Sequence, residues 1–315
     1  MGIIAVAGGT GGVGRALVEA IIARGKHEVK ILSRKPNDTL SEEVGVPIIV
    51  VDYTSVDALK KVFEDNSIET VISALSTMPE AGVPPEVNMV QAAQASKVTR
   101  RFVPSNWGVP TTGALVAKIP TTGMKNQAID ALKKTDLEYT TFYAGFFADF
   151  FTGPSIKTYM TPMIFVLDLA HDTAAIPGSG NTPVCFIHTF DLAKYVALAL
   201  DLEKWDAEYY VMGDKLSWNE FVKLAEAAKG TKFKVVYDSV EDMENGKATE
   251  LPALTKALPF IPIPKEALLA FAATFGLLWE HGVMDFDEET AFSSKYPEVK
   301  PLKIKDALEA AVKAL

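Results

Sequence analysis

Three glycines at even spacing, and a basic residue some distance beyond them, are where this sequence first points to chemistry. Gly8, Gly11 and Gly14 lie in Gly8-Gly9-Thr10-Gly11-Gly12-Val13-Gly14, after a β-branched apolar run and before a stretch of helical periodicity. Between a strand and a helix, this GxxGxxG spacing gives a tight turn, a close backbone approach to a diphosphate and close packing of helix on strand. The free N–H groups and the positive end of the helix then face the phosphates. Gly8, Thr10, Gly11, Gly12, Val13 and Gly14 are therefore candidate dinucleotide-binding positions. About twenty residues past the last glycine, where the second strand should end beside the adenosine ribose, the chain reads Ser33-Arg34-Lys35 and carries no acid. A carboxylate there would take a 2′-hydroxyl, whereas Arg34 offers a planar fork suited to a 2′-phosphate. The expected cofactor is NADP(H), with Ser33, Arg34 and Lys35 at its adenosine end.

Such residues need a frame that brings strand ends together. Short β-branched runs predict strands over Ile3–Ala7, Val29–Ser33, Pro47–Val51, Thr70–Ala74, Arg101–Pro104 and Glu138–Tyr143. Helices are predicted between them over Val13–Arg24, Ser55–Glu64, Pro85–Ser96 and Thr122–Lys134, with Pro85 well placed as a first helical residue. This alternation predicts an α/β fold, a Rossmann-type doubly wound parallel sheet. After Tyr143 the texture changes to GFFADFFTGP, where a smaller C-terminal substrate lobe should begin. The expected division is a cofactor-binding core over residues 1–150 and a mainly substrate-binding lobe over 151–315, with about 184–202 returning to the core. Asp191 before LAKYVALAL, and Ser217 with Glu220 as a capping box before FVKLAEAA, mark helix starts. Leu251–Pro264, with four prolines, reads as a connector. Ala267–Trp279 reads as a buried helix closed by His281-Gly282.

Composition removes several function classes. A chain of 315 residues with 48% hydrophobic and 23% charged residues has an ordinary globular composition and can bury a large core. Its net charge of −9 opposes binding to a nucleic-acid backbone, so no nucleic-acid partner is expected. The apolar stretch Ala267–Trp279 is short of the roughly 18 residues a membrane span needs, so no membrane partner is expected either. Ile3–Ala7 begins almost at the first Met, leaving no room for a signal peptide. Cys185, the single cysteine, suits a reducing cytoplasmic location. The four histidines, His27, His171, His188 and His281, lack metal-ligand spacing, and no metal is expected. Oligomeric state is not legible.

The sequence resembles the NmrA-like and isoflavone reductase-like family of atypical short-chain dehydrogenases. The shared features are VAGGTGGVGRALVEAI, LSR after the second strand, VDYTS after the third, RRFVPSNWG after the fifth, MKNQAIDALKKTDLEYTTFYAGFFADF, IPGSGNTPVCFIHTFDLAKYVALAL and KYPEVKPLKIKDALEAAV. They span nearly the whole chain. The resemblance implies a six- or seven-stranded parallel sheet, NADP(H) at the strand ends and a substrate pocket under the C-terminal lobe. It implies cofactor contacts from Asp52, Ser105 and Asn106. It also implies a lysine near the nicotinamide on the helix after the fifth strand, in place of a Tyr-x-x-x-Lys pair. Lys125 matches that lysine; Lys118, its rival, precedes Pro120 and should lie in a loop. In the family's PSEFG-like signature, Asn106 replaces an acid and Trp107 a phenylalanine, which implies a local charge and pocket shape beside the nicotinamide different from those of plant-type members. One literal Tyr-x-x-x-Lys match, Tyr296 to Lys300, is set aside because Pro297 disfavours a helix at Tyr296.

Tyr143, Phe146, Phe147, Phe150 and Phe151 cluster past the sixth strand. Together with Trp107 they are candidates for lining a hydrophobic or aromatic substrate pocket, although aromatic runs also build cores. The reading reached is an NADPH-dependent reductase of a small apolar or aromatic carbonyl, enone, imine or benzylic-type substrate. Lys125 serves as proton donor or orienting residue and also contacts the cofactor. The rival is a non-catalytic NADP(H)-binding redox sensor acting through protein partners. A nucleotide-sugar epimerase or dehydratase would require a tyrosine on the helix after the fifth strand, and that helix has none.

Overall fold

The computed structural model describes residues 2–75, 84–119, 122–257 and 263–315. Six strands form its central sheet: β1 (Ile3–Ala7), β2 (Glu28–Ser33), β3 (Ile48–Val50), β4 (Ile68–Ser73), β5 (Arg101–Val103) and β6 (Glu138–Tyr139). All neighbours pair parallel, in the order β3-β2-β1-β4-β5-β6. Helices α1 (Gly12–Arg24), α2 (Asp38–Val44), α3 (Val56–Asp65), α4 (Pro85–Ala95), α5 (Thr122–Leu132) and α6 (Thr189–Ala199) accompany it. Because strand side chains alternate, β1 divides its apolar residues between two cores. Ile4 and Val6 join Leu17 of α1 and Val196 of α6. Ala5 and Ala7 join Phe63 of α3 and Met89 of α4 on the opposite face. With both faces covered, the strand needs no polar alternation, which is why Ile3–Ala7 is continuously apolar. The strand order reverses between β1 and β4, and a parallel sheet opens its ligand crevice at the carboxyl ends of such a pair.

Several expectations change at the edges. The predicted strand Glu138–Tyr143 is broken at Thr140: β6 stays on β5, while β7 (Thr141–Tyr143) pairs with a later strand at Glu208–Tyr210. Helix α2 escaped the reading because it buries one residue, Leu40, and so carries no apolar period. Its punctuation is nonetheless present in Asn37, which accepts from the Leu40 N–H, and Gly45 at φ 68°. Helix α6 starts earlier than Asp191 suggests, at the cap His188, whose Nδ1 accepts from the Phe190 N–H. Asp191 lies inside the first turn and instead accepts from Leu302 N at 2.8 Å, tying down the C-terminal segment.

The rest of the chain adds small sheets and helices. Strands β8 (Phe146–Phe147), β9 (Leu167–Asp168), β10 (Thr173–Pro177), β11 (Pro183–Ile187), β12 (Glu208–Tyr210), β13 (Asp214–Ser217) and β14 (Lys234–Asp238) form β14-β10-β9 and β13-β11-β8, while β12 joins β7. The helices are α7 (Trp218–Lys229), α8 (Val240–Glu244), α9 (Pro252–Ala257), α10 (Lys265–Glu280) and α11 (Ile304–Val312). Ser217 and Glu220 complete the capping box of α7. The stretch read as a connector contains α9, and its residues 258–262 lie outside the described residues. Helix α10 includes the expected Ala267–Trp279 and ends at His281 and Gly282, the latter at φ 71°. Among the described residues no helix is long and apolar enough to cross a membrane. Helix α6, although late in sequence, packs against α1 on the central sheet.

Candidate active site

At the β1–β2 end of the crevice, backbone sets the shape. Gly8 has φ 76°, and a side chain on it would sit 2.6 Å from the Ala74 carbonyl oxygen. A Cβ on Gly14 would run into the carbonyl of Gly8, so this glycine lets α1 close onto the turn. Gly11 differs: it is extended at φ −168°, and a Cβ there would meet nothing within 4 Å. The space above Gly11 is open to a ligand. A cavity of about 570 Å³ continues from Gly8 and Thr10 to Ser33, Arg34, Lys35 and Tyr53.

Asp52, proposed on the resemblance, is exposed and accepts from the Thr54 amide and hydroxyl at 2.9 and 2.7 Å. Its neighbour Tyr53 lines the cavity instead, fixed by a 3.0 Å hydrogen bond to the Leu32 carbonyl.

A segment that sequence reasoning missed crosses the first turn of α1. Gly12 N–H donates to the Tyr159 carbonyl at 3.2 Å, and the Tyr159 hydroxyl donates to Glu19 of α1 at 2.5 Å. Lys157 and Arg15 also bond Glu19, at 2.6 and 2.8 Å. Burial alone would raise the Glu19 pKa, but Lys157, Tyr159 and Arg15 outweigh it and hold the carboxyl at about 2. One expected phosphate donor is thus engaged by the chain itself. No local pattern announces this contact, because its partners lie 140 positions apart.

At the β4–β5 end, side chains dominate. The Ser105 N–H donates to the Glu86 carboxylate of α4 at 2.5 Å, and the Ser105 hydroxyl to the Leu75 carbonyl at 2.8 Å. Trp107 Nε1–H donates to the Ser73 carbonyl at 3.1 Å. Asn106 is buried, and neither of its amide atoms has a hydrogen-bond partner among the described residues. Buried polar atoms without partners are rare and call for a missing one. Helix α5, whose Thr122 hydroxyl bonds the Val116 carbonyl at 2.8 Å, presents Lys125 here. Lys125 keeps partial exposure as a residue, yet its amine is enclosed: burial lowers its pKa, while Glu86 opposes that effect. Burial raises the Glu86 pKa in turn, against the Ser105 amide and Lys125. The Lys118 side chain lies outside the described residues. Tyr296 ends a short 3₁₀ turn and Lys300 bonds the Pro297 carbonyl, so that pair shares no helix.

The aromatic candidates separate by burial. Trp107 stacks on Phe142 in the sheet core, and Tyr143 is buried with its hydroxyl on Glu208 at 3.1 Å. Phe146 is the hub of the lobe core, with ring centroids of Phe165 and Trp279 at 5.2 and 4.9 Å. These three are core residues rather than pocket walls, since apolar area is most favourably removed from water altogether. Phe147 and Phe150 keep partial exposure and remain available to a ligand. Among the described residues no His, Cys, Asp and Glu cluster could hold a metal.

An open parallel sheet with a glycine turn at its switch point and a basic β2 terminus defines a Rossmann-type protein. The open space above Gly11 and the unpartnered Asn106 amide fit a dinucleotide. The NmrA-like family matches residues 2–309, and the chain belongs to it. The oxidoreductase BOA1 of Botryotinia fuckeliana is 35% identical over 230 residues, 73% of this chain and 77% of that protein. Phenylcoumaran benzylic ether reductase TP7 of Nicotiana tabacum is 27% identical, with 97% of each chain covered. A solved structure described as AtPrR2 with NADP+ and (+)pinoresinol has a TM-score of 0.75 at 21% identity, covering 98% of each chain, and shares the fold.

Proposed function

We propose that the protein is an NADPH-dependent reductase of a small apolar or aromatic substrate with a carbonyl, enone, imine or benzylic-type reacting group. The observation that carries this reading is Lys125, an enclosed amine at the carboxyl edge of the sheet whose pKa burial draws down. Burial makes Lys125 readier to give up its proton than an exposed lysine, the direction a general acid requires. The relatives named above as oxidoreductase and reductase, and the fold partner bound to NADP+, support the same class.

NADPH would supply hydride. The Gly8–Gly14 turn would hold its diphosphate, Arg34 with Ser33 and Lys35 its 2′-phosphate, and Ser105 and Asn106 its other half. Lys125 delivers the balancing proton, directly or through water. Phe147 and Phe150 offer the substrate an apolar wall. Residues 1–150 make up the cofactor-binding core, and 151–315 mainly the substrate lobe, with about 184–202 packed back on the core. A buried free Cys185 suits a reducing cytoplasm.

The test is NADPH oxidation against aromatic ketones, enones, quinones and imines. Turnover of at least one class, with NADPH preferred to NADH, is expected. NADPH binding with turnover of none would favour a redox sensor.

A further inference from the structure

We propose that the open edge of strand β14 is a docking surface for a second copy of this chain, the two strands pairing antiparallel about a two-fold axis at Val236.

β14 (Lys234–Asp238) is the outer strand of β14-β10-β9 and pairs with β10 alone. The Lys234 N–H donates to the Asp172 carbonyl at 2.8 Å, and the Asp238 carbonyl accepts from the Gly178 N–H at 2.9 Å. Alternate residues of a parallel strand bond the same neighbour, so Lys234, Val236 and Asp238 turn their main chain to β10. Val235 and Tyr237 turn theirs outwards, and among the described residues no group bonds those amides and carbonyls. Side chains do not screen this edge, since Val236 is 40% exposed and Tyr237 54%. An open edge with exposed apolar residues is a template for another strand, and a lysine in it ordinarily discourages pairing. Here Lys234 is exposed and has no carboxylate partner among the described residues. Asp238 accepts from the Thr249 amide and hydroxyl at 3.0 and 2.5 Å, but no cation among the described residues pairs with it.

A second copy supplies both missing partners. With Val236 opposite its own copy, Lys234 faces Asp238 at both ends of the seam, and Val235 faces Tyr237. The outward amides and carbonyls of Val235 and Tyr237 then bond one another. The charged pairs and the Val236 pair fall at the non-hydrogen-bonded positions, where side chains approach most closely. Each facing pair is of a favourable kind: opposite charges, an aromatic ring on a β-branched residue, and two valines. Keeping the same groups outward allows slips only in steps of two residues. Such a slip uncovers part of the strand and sets Lys234 or Asp238 against Val236. KVVYD is thus complementary to itself, as a two-fold interface requires. One short strand per copy is less than a standard interface, so the association is reversible and depends on concentration.

Val236→Cys tests the register. The paired Cα atoms would lie about 4.5 Å apart, within the span of a disulfide. Mild oxidation should therefore give a covalent dimer on non-reducing electrophoresis, and Cys185 is buried and does not compete. Tyr237→Cys sits two residues out of step with its own copy, beyond the reach of about 7 Å, and should cross-link roughly tenfold less. No cross-linking at Val236→Cys, or equal cross-linking at both positions, would overturn the proposal. Sedimentation velocity tests the charges. The wild type should shift from monomer towards dimer as concentration rises, while Lys234→Asp and Asp238→Lys should each stay monomeric alone and dimerise when mixed, because each supplies the charge the other lost. A wild type monomeric throughout, or no recovery on mixing, is equally contrary. Should Asp238→Lys fail to fold without its Thr249 bonds, Lys234→Asp alone decides: a dimer as strong as that of wild type would overturn the proposal.

Discussion

The two ends of the crevice are built from different materials. Around β1 and β2 the chain offers backbone: an open extended Gly11, a left-handed Gly8 and a cavity reaching Ser33, Arg34 and Lys35. Around β4 and β5 it offers enclosed side chains: Glu86 on the Ser105 amide, an unpartnered Asn106 and Lys125 from α5. A backbone cradle grips phosphate whatever the substrate, because its donors and helix dipole are fixed by the turn. Buried charges gain their properties from one another and shift together when one is changed. The first end should fail in binding when altered, the second in proton delivery.

The largest expected contrast lies within the glycine turn itself. Gly14→Val forces a side chain into the Gly8 carbonyl and should prevent α1 from docking, so little folded protein is expected. Gly11→Val should fold normally, yet lose the thermal stabilisation by NADPH, which for the wild type is about 2.7 kcal/mol at a hundredfold excess over Kd. A Gly11→Val protein stabilised like wild type would place the phosphates elsewhere.

Arg34→Asp is the next step down. A charged hydrogen bond contributes roughly 1.5–3 kcal/mol, so calorimetry should show NADPH weakened about tenfold to a hundredfold more than NADH. Equal losses for both cofactors would remove Arg34 from the 2′-phosphate site.

The smallest effect concerns the segment over α1. The Glu19 pKa is depressed, so its contribution to stability is complete above about 4.5 and is lost as pH falls towards about 2. Glu19→Gln should lower the melting temperature by about 2 °C at neutral pH and flatten the decline in that acid window. An acid decline as steep as that of wild type would show that Glu19 does not tie the segment down.

Legibility followed the same division. The six strand positions and the glycine turn could be read because each is a local pattern: apolar runs, their punctuation and glycine spacing. Tyr53, Glu86 and Tyr159 could not, because each acts through a partner distant in sequence, at Leu32, Ser105 and Glu19. Asp52 could be named only through the resemblance; in the structure it stays exposed and bonds Thr54, as a carboxylate near a threonine readily does. Tyr143 and Phe146 were read as pocket walls because an aromatic run gives no sign of which rings the second lobe will bury. Lys125 could be named only through a resemblance; nothing in MKNQAIDALKK says which lysine is enclosed.

Lys125→Met is the most direct test of the account. Methionine keeps the apolar stem and removes the proton, so folding and NADPH affinity should persist. General acid–base assistance is typically worth about a hundred to ten thousandfold. On a substrate found with the NADPH panel, kcat should fall by at least about a hundredfold at unchanged NADPH Kd, marking a role in the transition state. Turnover at the wild-type rate would contradict the assignment of Lys125 and, with it, the division between the two ends of the crevice.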